Sequence, residues 1–246
     1  MLTRDERHWL PWAPVLLVQG LYARLRAGRL PPARDPIGCV GTGAPALRLV
    51  GLGDSIIAGI GVSRQAEGLT GQVSAQVARR AGRAVEWQAI GVSGVTSERV
   101  VDELLEAALR FEPQLAVLSV GVNDAVTGVP PALFKQRLRH IVEALTASRR
   151  RPTVVFAGIP PLDTFPALPR PLSRLLGDRA RRLQASAVEL TGYRGLKVVS
   201  FPPVLERAAF ARDGFHPGPT GCAAWATWVA DGFALRLGEL REHGDD

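Results

Sequence analysis

The chain has 246 residues and a formal net charge of +7, with 46% hydrophobic and 22% charged residues. That balance excludes a disordered chain, and the length allows one large domain or two small ones that fold without a disulfide or metal staple. Two cysteines, Cys39 and Cys222, exclude a disulfide scaffold and a cysteine-based zinc site, and leave one bridge or two free thiols open.

The positive charge is almost all arginine, since Lys135 and Lys197 are the only lysines. The arginines are scattered singly or in short runs such as Arg149, Arg150 and Arg151, without interleaved aromatics. No helix-turn-helix or RNA-binding signature accompanies them, so solvated arginine-rich faces are expected rather than a nucleic-acid partner.

In chain order, residues 1–45 read as an N-terminal extension. Its segment Trp9–Tyr22 (WLPWAPVLLVQGLY) is mostly apolar and follows Arg4 and Arg7. Asp5 and Glu6 interrupt the charged region of a signal peptide, Pro11 and Pro14 break the apolar run, and no A-x-A cleavage site follows. No stretch reaches the about 20 apolar residues of a membrane span. The segment therefore reads as an uncleaved helix packed on the domain or making peripheral membrane contact, which points to a cytoplasmic or membrane-peripheral protein rather than a secreted one.

A Pro- and Gly-rich connection over residues 31–44 leads into a domain expected over residues 46–240. Strands are predicted at Leu47–Leu52, Ala84–Ile90, Leu115–Val120, Thr153–Ala157 and Leu196–Ser200, all short, apolar and rich in β-branched residues. Helical stretches fall at 66–82, 97–110, 131–149 and 171–191, with a last one near 218–240. This alternation predicts an α/β fold: a three-layer α/β/α sandwich around a five-stranded parallel sheet with right-handed crossovers.

Function in such a sheet sits beyond the carboxyl ends of the strands. The loops there read Gly53-Asp54-Ser55, Gly91-Val92-Ser93-Gly94, Gly121-Val122-Asn123-Asp124, a Pro-rich stretch from Ile159 to Pro171, and Asp213-Gly214-Phe215-His216-Pro217. Of the four histidines, His8 and His243 lie near the termini and His140 lies in an arginine-rich helix. Only His216 follows a strand and has an acid three residues earlier, so Asp213 can fix its tautomer within one turn. Read alone, Asp213 and His216 fit a plain polar turn better than a catalytic pair. Ser55 directly follows the first strand and is expected to open the first helix, as an exposed hydroxyl or as a simple helix cap.

Other chemistries find no support. The G-x-S-x-G elbow fails because Val95 holds the final glycine position, there is no Gly-Lys pair for a phosphate loop, and Ile56 stands where a dinucleotide loop needs its third glycine. No His, Asp and Glu cluster has metal-ligand spacing, so neither a metal nor a cofactor is expected.

Taken together, Gly53-Asp54-Ser55, Ser93-Gly94, Gly121-x-Asn123-Asp124 and Asp213-x-x-His216-Pro217 resemble the four blocks of the SGNH hydrolases, the GDSL esterases and lipases. The blocks occur in the family's order over about residues 46–235, with Ile56 in place of the usual leucine and no asparagine shortly before Gly94. The resemblance implies a flavodoxin-like topology and a serine esterase that forms an acyl-serine intermediate. It also implies Ser55 as nucleophile, His216 as general base and then acid, and Asp213 as its orienter. The backbone N–H groups of Ser55 and Gly94 and the amide of Asn123 would form the oxyanion hole. Asp54 and Asp124 are expected to serve turns and caps.

The partner implied is a small-molecule acyl ester. The same machinery also suits an O-acetyl-carbohydrate esterase or an acyl thioesterase, and a binding module that kept the fold is the non-enzymatic alternative. Leu162, Phe165 and Leu168 in the apolar loop are candidates for binding an acyl chain or, equally, for capping the core.

Overall fold

A computed structural model describes residues 4–26, 30–44, 46–201, 206–234, 237 and 238. Its sheet has six strands: β1 (Ile37–Val40), β2 (Leu47–Gly53), β3 (Val85–Gly91), β4 (Leu115–Ser119), β5 (Thr153–Phe156) and β6 (Lys197–Val198). Their spatial order is β1-β3-β2-β4-β5-β6. The five strands from β2 onward pair in parallel, and β1 adds an antiparallel edge against β3. The expected five-stranded sheet is thus corrected to six: β1 lies inside the stretch read as a connection. Ile-Gly-Cys-Val is short, and its outer face is exposed, so it lacks the doubly buried pattern of β2, β4 and β5.

Helices cover both faces. They are α1 (Ala13–Arg26), α2 (Leu69–Ala81), α3 (Ser97–Arg99), α4 (Leu105–Arg110), α5 (Val122–Thr127), α6 (Pro131–Ala147), α7 (Leu172–Val188) and α8 (Pro219–Asp231). A π turn over Val100–Leu104 joins α3 to α4 inside the stretch read as one helix. α8 ends at Asp231, and after a turn at 232–233 residues 234, 237 and 238 are helical again, within the stretch expected to 240; residues 235, 236, 239 and 240 lie outside the described residues.

Alternate side chains of each strand feed two cores, as the period of two requires. Val50, Leu52, Leu118 and Phe156 pack with α4, α6 and α7, whereas Leu47, Leu49, Val117 and Val155 pack with α2 and α8. Cys39 and Cys222 are both free thiols, and burial pushes the Cys222 thiol up to about 12.

The N-terminal segment packs on the helix layer that holds α7. Leu16 enters the core, the Gln19 amide donates to the Arg170 carbonyl at 2.6 Å, and the Leu172 N–H donates to Gln19 at 3.0 Å. Ahead of α1, Glu6 accepts both arms of the buried Arg179 guanidinium at 2.7 and 2.8 Å, a paired charge of the kind that tolerates burial. Arg179 also donates to the Ala125 and Val126 carbonyls of α5.

Candidate active site

The chain leaves the centre of the sheet at β2, which lies between β3 and β4, so successive crossovers depart to opposite sides. This is the switch point where an open α/β sheet forms its cleft. Gly53 ends β2 with φ +153, and a Cβ there would sit 1.8 Å from the Ser119 carbonyl. Only glycine permits that approach, which lets the Asp54 N–H donate to Ser119 at 3.0 Å and sets Ser55 against β4.

Ser55 does not open a helix, contrary to expectation. Residues 54–63 form successive turns, and α2 starts only at Leu69. Gly59 and Gly61, with φ of +69 and +106, hold this path away from a helix. Asp54 accepts the Ile56 N–H at 3.0 Å, a local turn that presents Ser55 at its tip.

Residues from two distant parts of the chain form one line of hydrogen bonds. Ser55 Oγ lies 3.0 Å from His216 Nε2, and His216 Nδ1 lies 2.7 Å from Asp213 Oδ2. The other Asp213 oxygen accepts the N–H groups of Phe215 and His216 at 2.9 and 3.0 Å. Burial pushes the Asp213 carboxyl up, but the imidazole and these two backbone donors outweigh it and hold the group below the ordinary carboxylate value. The carboxylate is therefore fixed in charge and direction, which holds the imidazole with Nε2 toward the serine. His140 and His8 lie exposed elsewhere, and His243 is outside the described residues.

Gly94 and Asn123 complete the cluster. Among the described residues, neither the Ser55 nor the Gly94 N–H has a protein acceptor. Gly94 adopts φ +83, and a Cβ there would meet nothing within 4 Å, so backbone conformation rather than packing demands the glycine. The Asn123 amide donates to the Val95 carbonyl at 2.9 Å. Beside it, Asp124 accepts the Ser97 N–H at 2.9 Å and the Ser97 hydroxyl at 2.5 Å, capping α3 from across the cleft. The two adjacent residues of α5 thus clamp the loop that carries Gly94.

Asp54, behind the serine, is fully buried, and that burial, with Asp124 nearby, raises its carboxyl to about 7. Burial raises Asp124 as well, against the lowering influence of its Ser97 bonds.

Beside Ser55 lies a small apolar pocket of about 10 Å³, walled by Phe165, Phe201, Phe210, Phe215 and Trp225. Of the three loop residues singled out in sequence, Phe165 lines it, Leu162 is fully buried in the core, and Leu168 packs at the core's edge. Phe165 meets the rings of Phe210 and Phe215 edge-on at 5.2 and 5.3 Å, and Phe215 meets His216 at 5.1 Å. The Ala167 N–H also donates to the Gly214 carbonyl at 3.1 Å. The loop after β5 thereby supports the turn that bears His216. Phe201, Phe210 and Trp225 escaped the sequence reading, which looked only at loop motifs; the one local signal was Phe215 inside the Asp213–Pro217 block.

The comparisons with known proteins agree with this geometry. The profile of the GDSL-like lipase/acylhydrolase family matches residues 52–224, and the chain belongs to that family. No curated protein matches it in sequence. Among solved structures, the lipase/acylhydrolase from Enterococcus faecalis is 20% identical, with TM-score 0.61 over 77% of this chain and 96% of that one. The esterase EstA from Pseudoalteromonas sp., solved with monoethylphosphonate as inhibitor, is 18% identical, with TM-score 0.59 over 78% and 98%. The Clostridium thermocellum family 3 carbohydrate esterase is 14% identical, with TM-score 0.61 over 80% and 100%. At these identities the structures establish a shared fold.

Proposed function

We propose that the protein is a carboxylic-ester hydrolase that works through an acyl-serine intermediate. The observation that carries this reading is the unbroken line from Ser55 Oγ through His216 to Asp213, at 3.0 and 2.7 Å, in a member of the GDSL-like family. Ser55 Oγ attacks the ester carbonyl carbon while His216 Nε2 takes the hydroxyl proton. Asp213 stabilises the imidazolium that results. The electron pair displaced from the C=O bond sits on an oxyanion, which the Ser55 and Gly94 N–H groups and the second Asn123 amide hydrogen receive. Collapse expels the alcohol, which leaves with the proton from His216. Water then repeats the sequence on the acyl-serine, releasing the acid and restoring the serine.

The substrate class is a small-molecule ester with an apolar acyl group, because aromatic side chains line the small pocket beside Ser55; a chain longer than acetyl is admitted by these rings moving apart. A series of p-nitrophenyl esters tests this. With each added CH2 buried, kcat/KM should rise up to about fourfold, the equivalent of about 0.8 kcal/mol, from acetate until the cleft is filled. A maximum at acetate, falling with each carbon, would contradict an acyl-chain cleft and favour an O-acetyl ester instead.

A further inference from the structure

Helix α1 is apolar on both sides, yet only one side is covered. Leu16 is buried, Gln19 is bonded to the start of α7, and Ala23 packs against the core, which defines the docked stripe. The opposite stripe runs through Leu17, Val18, Leu21 and Leu25, which are 76, 67, 59 and 74% exposed. Tyr22 lies beside it and Trp12 immediately precedes the helix, each about half exposed. A helix apolar all round is ordinarily buried on every side, and a contiguous exposed patch of large side chains marks an interaction surface.

Charge identifies the occupant. From Arg7 to Arg34 the sequence carries Arg7, Arg24, Arg26, Arg29 and Arg34, and no acidic residue. Symmetric pairing with a second copy would bring two such cationic segments together, at a Coulombic cost. An anionic surface with an apolar interior complements both the leucines and the arginines. Exposed tryptophan and tyrosine, here Trp12 just before the helix and Tyr22 on it, are the residues that favour a lipid–water boundary. With 14 residues, α1 measures about 21 Å, short of the about 30 Å of a bilayer's hydrocarbon core. Among the described residues no helix is long and apolar enough to cross a membrane.

We infer that α1 docks the protein on an anionic membrane surface, lying flat with Leu17, Val18, Leu21 and Leu25 in the acyl region while its other side stays on the protein. This surface is independent of the catalytic reading. It nonetheless touches the same part of the molecule, because Gln19 holds the junction where the Ile159–Pro171 loop, whose Phe165 lines the cleft, enters α7.

Sedimentation with phosphatidylcholine vesicles, with and without phosphatidylglycerol, provides the test, with no need of enzymatic activity. The wild type should pellet with the anionic vesicles. Binding should weaken at least tenfold with phosphatidylcholine alone or at high salt. The triple variant Leu17→Glu, Leu21→Glu, Leu25→Glu should stay in the supernatant with an unchanged melting temperature, its sites being exposed. Leu17→Ser alone, too mild to unfold the segment, should reduce binding severalfold. The inference is overturned if the wild type ignores both vesicle types, or if binding is indifferent to phosphatidylglycerol and salt. It is equally overturned if both variants bind like the wild type, or if the wild type is a dimer that the triple variant splits and no vesicle binds it.

Discussion

The side-chain amide of Asn123 donates to the carbonyl of Val95 at 2.9 Å, so the residue proposed to hold the oxyanion also fastens the loop that carries Gly94. A primary amide has two hydrogens, and one side chain can serve both tasks. A structural role for Asn123 and an oxyanion role therefore do not exclude each other.

This dual role has a measurable signature. Asn123→Ala should lower kcat by about 10²–10³-fold, roughly 3–4 kcal/mol, with a smaller change in KM, because oxyanion charge develops only in the transition state. It should also lower the melting temperature, since the Val95 carbonyl loses its donor. Kinetics and melting measured on one preparation separate the two effects. A lowered melting point with wild-type kcat would leave Asn123 a structural residue only.

Asp213→Asn should preserve the fold, because the amide oxygen can still accept the Phe215 and His216 N–H groups. Its NH2 would face His216 Nδ1 and favour the tautomer protonated on Nε2, which cannot take the serine proton. In a well-studied protease triad this change costs about 10⁴-fold in kcat, and a loss of that order is expected here. Because the native carboxyl lies below its ordinary value, it contributes stability above the unfolded value and loses it as pH falls through the native one. The melting-temperature advantage of the wild type over Asp213→Asn should therefore shrink on acidification below about pH 4.

Asp54 carries the opposite sign. Its native carboxyl is raised from 3.8 to about 7, so between those values the folded protein holds a proton that the unfolded chain has lost. Stability from this group is complete below about pH 4 and falls as pH rises to 7. Asp54→Asn keeps an acceptor for the Ile56 N–H and does not titrate. The variant's melting temperature relative to wild type should climb from pH 4 to pH 7 and then level off. Thermal melts across that range check it; a difference that is flat with pH would mean that Asp54 is ionised throughout.

How far the sequence carried the reading depended on the scale of each feature. β2, β4 and β5 were legible because each is an apolar run buried on both faces, and β3 because its apolar residues alternate with Glu86 and Gln88; of the stretch Leu196–Ser200 only Lys197–Val198 pairs as β6. Ile37–Val40 was not legible, because a four-residue edge strand exposed on one face looks like a loop between Pro36 and Gly41. The six-residue α5 between Gly121 and Gly128 offers too little periodicity to be seen. The motif residues Ser55, Gly94, Asn123, Asp213 and His216 were legible together through the four blocks that resemble the SGNH hydrolases, each expected past the carboxyl end of a strand; that Asn123 stands in a short helix was not legible. The pocket walls were not legible: Leu162 and Phe165 lie three residues apart in one apolar loop and both enter the core, yet only Phe165 also lines the pocket beside Ser55. Only the three-dimensional path, drawn by Phe165 against Phe210 and Phe215, decides which.

The most direct test of the central claim is the site of covalent modification. A fluorophosphonate, treated as an ester surrogate, loses fluoride to the attacking oxygen and leaves a stable phosphonyl-serine. Mass spectrometry of the treated protein should show one adduct, mapped by peptide sequencing to Ser55, absent from Ser55→Ala and strongly slowed in His216→Ala. An adduct on Ser93, or esterase turnover that persists in Ser55→Ala, would contradict the assignment.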